Sequence, residues 1–152
     1  MAISYGRTDI ETPIHADIKE TISHGIIVSN LAYLVGKELG LQEEVCYDLA
    51  VAGMLHDLGK YSKEFQRKIQ NDTGERVDHS TAGAKVCNEK GGYYSILSYC
   101  IAGHHAGLPD YGNTAIGNSL CGRYNKKICD FKNYEKEIEI PQLHTDPIVF
   151  DP

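Results

Sequence analysis

The sequence predicts an all-α domain with a less regular C-terminal segment. Three observations carry this expectation. Apolar residues recur at helical spacing through about residues 17–128. Glycine and proline punctuate the intervals between those runs. Strand-like alternation is confined to Glu137-Ile-Glu-Ile140, a possible edge strand. A chain of 152 residues can bury a real core as one domain, so residues 1–152 are read as a single unit.

Residues 1–16 lack periodicity and contain Pro13, which suggests an extended start; His15 receives no role. The first helix is expected from about Asp17 to Leu39. His24, Ile27, Val28, Leu31 and Val35 share one face of it, which reads as the core stripe. Gly40 suits the position after a helix end, with Leu41 as the following apolar contact. A second helix is expected from about Gln42 to Leu58. Glu43 and Glu44 sit at the positive end of its dipole, and Val45, Leu49, Ala52 and His56 form an inward row.

Gly59 is expected to end that helix and to let the chain turn with its backbone close to a ligand. Ser62 is placed to cap a short helix reaching Ile69. Asn71 to Arg76 reads as a polar loop. Asp78-His79-Ser80 opens the next helix, with Asp78 as its cap and His79, Ala82, Gly83 and Val86 on one face. Gly91-Gly92 breaks the chain. A helix from about Tyr93 to His105 carries Leu97, Ile101, His104 and His105 on one side. Pro109 stiffens the loop that follows, and Asn118 to Lys127 forms one more short helix. From residue 129 onward, dense charge and three prolines suggest an irregular tail or connection.

Composition narrows the function. The net charge of −6 sits awkwardly with a stand-alone nucleic-acid binder. Bound divalent cations would add positive charge locally, and two basic clusters exist: Lys60, Lys63, Arg67 and Lys68, then Arg123, Lys126 and Lys127. Surface helices also carry such clusters, and the second reads that way first. The cysteines (Cys46, Cys87, Cys100, Cys121, Cys129) are odd in number and form no Cys-x-x-Cys pair. They read as small buried hydrophobes in a reducing, cytoplasmic setting. No run is long enough to span a membrane, so no membrane partner is expected.

Chemistry concentrates at Leu55-His56-Asp57-Leu58-Gly59-Lys60. His24, His79, His104 and His105 also fall on the apolar sides of their predicted helices. One inward histidine is ordinarily a hydrogen-bonded core residue. Five of them, one beside an aspartate, would each need a buried partner. A shared metal satisfies them together. Mixed imidazole and carboxylate donors suit Mn, Fe, Co, Ni or Zn better than Ca. Adjacent His56 and Asp57 diverge by about 100° on a helix, yet both can reach one cluster from its rim. Two metals about 3.5–4 Å apart clamp the oxygens of a phosphodiester. Lys60 is either an electrostatic contact to a substrate phosphate or a surface lysine.

The spacing His24…His56-Asp57 resembles the HD phosphohydrolase superfamily. Three stretches bring it closer to the HD nuclease domain of the CRISPR-associated helicase-nuclease of type I interference systems: residues 56–66, Asp78-His-Ser-Thr-Ala-Gly-Ala84, and Gly103-His-His-Ala-Gly-Leu-Pro-Asp110. The resemblance implies an all-α HD-domain helical bundle and a metal-dependent nuclease preferring single-stranded DNA. It implies a helicase domain or subunit and an RNA-guided surveillance complex as partners. It implies two divalent transition metals (Mn, Ni, Co or Fe): His24, His56 and Asp57 on one, and His79, His104 and His105 on the other with Asp57 bridging. Catalytic roles fall on His56, Asp57 and Lys60.

The family uses one further aspartate on a later helix, which has no counterpart here; Asp110, Asp130, Asp146 and Asp151 lie in unsuitable contexts. A phosphate loop for a helicase is also missing. The expectation is a fragment or a shortened relative, with the His24 side holding metal more weakly. The alternatives are an HD phosphohydrolase acting on nucleotides and a shortened relative that binds metal without cleaving. The cyclic-dinucleotide branch would show His-His-Glu and Gly-Tyr-Pro motifs, where this chain has Ala106-Gly-Leu-Pro-Asp-Tyr.

Overall fold

A computed structural model describes residues 18–71, 74 and 76–143 of the protein, with side chains from residue 24 onward. The expectations for His15, Asp146 and Asp151 lie outside the described residues. The fold is all-α. Among the described residues six α-helices follow in order: α1 (Ile18–Glu38), α2 (Glu43–Leu55), α3 (Lys63–Asn71), α4 (Ser80–Lys90), α5 (Tyr94–Gly103) and α6 (Leu120–Asn125). Short 3-10 turns span Leu58–Tyr61 and Lys132–Lys136. No helix among the described residues is long and apolar enough to cross a membrane.

The punctuation works as the sequence suggests except at Gly59, which lies inside the 3-10 turn Leu58–Tyr61 because α2 already stops at Leu55. Gly40 takes φ 71° and closes α1. Its amide donates to the Lys37 carbonyl, and the Leu41 amide donates to the Gly36 carbonyl, both at 3.0 Å. These two bonds satisfy the last turn and send the chain straight back into α2. Ser62 Oγ accepts from the Phe65 amide at 3.3 Å and starts α3. Asp78 Oδ1 accepts from the Thr81 amide at 3.1 Å and caps α4.

The expected core stripe of α1 is wrong. Ile27, Leu31 and Val35 are 54–55 % exposed. The α1–α2 seam is built instead from small residues. A Cβ on Gly53 would stand 2.9 Å from the Ser29 backbone, and one on Gly36 would stand 3.0 Å from Cys46 Sγ. Close backbone approach selects glycine and serine, and it rotates the contact face by about one residue, roughly 100°. Large apolar side chains therefore marked the wrong face. His24 lies between the two faces and still reaches the interior end of α2.

The main core joins Leu55, Leu58, Tyr61, Leu97, Ile101 and Leu120. Gly83 lets α4 meet the C-terminal end of α2, because a Cβ there would meet the Leu55 carbonyl at 2.2 Å. Asp48 of α2 is also fully buried, a carboxylate that periodicity did not single out. The expected edge strand at Glu137–Ile140 is absent from the described residues. Its alternation is real, since Ile138 is buried while Glu137 and Glu139 are exposed. With no strand to pair with among the described residues, the segment docks through Ile138, with Ile140 and Leu143 packed against the same core. Tyr134 joins it in the core, so the irregular tail covers α4 and α5 through side chains.

Candidate metal centre

The helix ends, rather than their middles, build the site. His56 and Asp57 were expected inside the second helix, but α2 stops at Leu55 and both lie in the turn beyond it. His104 and His105 likewise follow the end of α5, and His79 precedes α4. Helix ends leave carbonyls unpaired, and the imidazoles use them. With Nδ1 protonated, His56 donates to the Gly53 carbonyl at 2.6 Å and His104 to the Ile101 carbonyl at 2.7 Å. Each ring is thereby oriented with Nε2 towards Asp57, the arrangement that fixes a metal-binding tautomer.

Asp57 is 5 % exposed and stands at the centre. Its Oδ2 faces His56 Nε2 at 2.9 Å, His24 Nε2 at 3.3 Å and Lys60 Nζ at 2.7 Å. Its Oδ1 faces His79 Nε2 and His104 Nε2, each at 3.6 Å. His105 completes that second side, with Nε2 2.7 Å from His79 Nε2. Two donor sets result: His24, His56 and Asp57, and Asp57, His79, His104 and His105. Within each set, the ligand atoms lie within 4.8 Å of one another. The five histidines singled out as metal ligands are therefore gathered around the sixth residue, the Asp57 carboxylate.

The donor chemistry fits divalent metals. Asp57 Oδ1 is buried without a hydrogen bond. The two imidazole nitrogens opposite it are too distant to donate and suitably placed to share a cation with it. Burial alone would raise the Asp57 pKa. The imidazoles of His104, His24 and His56 outweigh that and hold the carboxyl far below the usual range. Burial pushes His79 down to about 4, against the attraction of Asp57, and lowers His105 as well. Both rings are neutral near pH 7, the state a metal ligand requires. No further carboxylate joins either set among the described residues.

Lys60 is not a surface lysine. It is 4 % exposed, and its ammonium pairs with Asp57 beside the Phe65 ring. Gln66 Nε2 donates to its carbonyl at 2.7 Å and steadies the turn. Two close approaches hold the separate chain segments together here. One is Gly83 against Leu55. The other is Gly59, where a Cβ would stand 2.3 Å from His79 Cα. Asp110 is exposed in its loop and belongs to neither set.

The family model of the HD domain matches residues 21–142. HD domains are generally metal-dependent phosphohydrolases that bind divalent metals, and the His/Asp cluster around Asp57 is consistent with this. No curated protein matches the chain. The family match runs through most of the sequence and through all six residues gathered at the centre, so the chain belongs to the HD domain family.

Proposed function

We propose that the protein is a metal-dependent nuclease that hydrolyses single-stranded DNA in CRISPR interference, an antiviral defence. The observation that carries the reading is one buried carboxylate with an imidazole set on each of its oxygens. Two divalent transition metals held there would supply hydroxide near neutral pH and neutralise charge on a phosphodiester. His24, His56 and Asp57 would hold one, and Asp57, His79, His104 and His105 the other. The motifs at 56–66, 78–84 and 103–110 favour the nuclease branch over other HD hydrolases. A helicase, as domain or subunit, and an RNA-guided surveillance complex would present the strand.

The protein's own residues do the positioning. The Gly53 and Ile101 carbonyls orient His56 and His104. Lys60 pairs with Asp57 and adds positive charge beside the two donor sets, where a substrate phosphate would lie. Purified protein supplied with Mn, Co or Ni is expected to nick circular single-stranded DNA, and His56→Ala and Asp57→Ala to abolish nicking. Unchanged nicking in both variants would refute the reading. Turnover of mononucleotides with no action on the circle would favour a nucleotide phosphohydrolase instead. Metal bound by elemental analysis, without any cleavage, would favour the shortened, non-cleaving relative.

A further inference from the structure

Beside the centre lies a cleft of about 640 Å³ between the start of α4 and the segment after α6. Its charged lining is Arg76, Lys126 and Lys127 against Glu64 and Asp78. The chain as a whole carries −6, so this net positive lining runs against the overall charge. Lys126 Nζ is held at 2.6 Å by Asp78 Oδ2, which also accepts from Thr81 Oγ1 at 2.9 Å. Lys85 Nζ donates to the Lys126 carbonyl at 2.7 Å and adds a cation at the rim. Arg76 and Lys127 are exposed. Neither makes an ion pair with a described residue, so both can turn to a ligand. Val77 and Ile128 provide apolar surface between the charges.

The cleft is joined to the centre by covalent geometry. Asp78 lines it and His79, the next residue, faces Asp57. The Val77 carbonyl, on the cleft wall, accepts from His79 Nδ1 at 3.4 Å. The cleft wall and the second imidazole set are therefore neighbours along the chain, at Asp78 and His79.

We propose that this cleft seats the sugar-phosphate backbone of a single nucleic-acid strand whose neighbouring phosphate lies at Asp57. It rests on the phosphodiesterase reading above and adds where the strand runs. A positively charged groove is the part of sequence-independent strand binding that follows the sugar-phosphate backbone, which is the part proposed for this cleft. Three phosphate contacts predict a slope of log affinity against log salt of about −2 for a single strand. Affinity then falls about 20-fold between 50 and 200 mM salt.

The test measures binding of a labelled oligothymidylate to the full chain in EDTA, by fluorescence anisotropy across that salt range. Arg76→Ala/Lys127→Ala leaves one contact and is expected to fall only about 3-fold over the range, with a melting temperature like the parent's. Nicking of circular single-stranded DNA is read in parallel with Mn. If nicking fails while the salt slopes differ as stated, the nuclease reading falls and the cleft assignment stands. If the variant keeps the parent's affinity and slope, or thymidine monophosphate competes as well as the strand, the cleft assignment is overturned.

Discussion

Gly59→Ala tests how the centre is assembled. An added Cβ would lie 2.3 Å from His79 Cα and 2.4 Å from its carbonyl oxygen, where ordinary contact begins near 3.4 Å. The obstacle is backbone, so neither side chain can swing away. The two segments must separate by about 1 Å, which carries His79 away from Asp57 Oδ1. His79 shares its metal with His104 and His105, so that set loses geometry while His24 and His56 keep theirs. Overpacking of this kind costs about 1–3 kcal/mol. Displacing one ligand by this amount is expected to weaken metal binding about 10–100-fold on the His79 side, the scale seen when a ligand's support is removed. Isothermal titration with Mn at pH 7.5 should show the tighter class of site lost and the weaker class kept. Parent-like stability together with two unchanged classes of site would refute the argument.

Other consequences follow from the same geometry. Asp57→Asn leaves the Lys60 ammonium buried without its carboxylate, and should cost the metal-free protein about 3–5 kcal/mol in urea unfolding. Asp57→Asn/Lys60→Met should recover part of that loss; a double variant as unstable as the two single losses combined would contradict the pairing. On α1, Leu31→Ser should change stability by no more than about 0.5 kcal/mol, because that side chain is exposed. Gly53→Ala should cost about 1–3 kcal/mol, since its Cβ would strike the Ser29 backbone; the reverse order would restore the sequence-derived stripe. Acid should also weaken the metal-free fold. His79 titrates near 4 in the folded chain, below the ordinary imidazole value of about 6.5 in the unfolded one. Unfolding therefore takes up a proton between those values, and stability drops as pH falls from 6.5 towards 4, by up to ~1.4 kcal/mol per pH unit. His79→Gln should flatten that part of the curve, and an unchanged curve would refute the assignment.

Much of the site was legible because its residue types are costly to bury singly. His24, His56, Asp57, His79, His104 and His105 stood out as polar groups on apolar faces, and the structure gathers all of them. Periodicity places them on helices, whereas five of them lie just beyond helix ends. Periodicity reports which face a residue shares and says little about where a helix stops. The α1 stripe failed for a different reason. Apolar size predicts burial only where side chains make the contact, and between α1 and α2 the backbones make it. Lys60 was ambiguous in the sequence, because a lysine after a turn can face water or a carboxylate. Its burial depends on how α3 and the 3-10 turn fold back over Asp57.

By itself the sequence determined the helical class, the stops at Gly40 and Gly91, and the imidazole and carboxylate residues that the structure gathers. These are local properties, set by backbone freedom and by the cost of burying an imidazole. Only the tertiary structure decided that the two oxygens of Asp57 face different imidazole sets. It also decided that Lys60 closes the carboxylate, and that the cationic cleft begins one residue from His79. Those relations join segments far apart in the chain, through approaches as close as Gly59 on His79 and Gly83 on Leu55. Which backbones come that near is set by packing among the helices, and no pattern within any one of them records it.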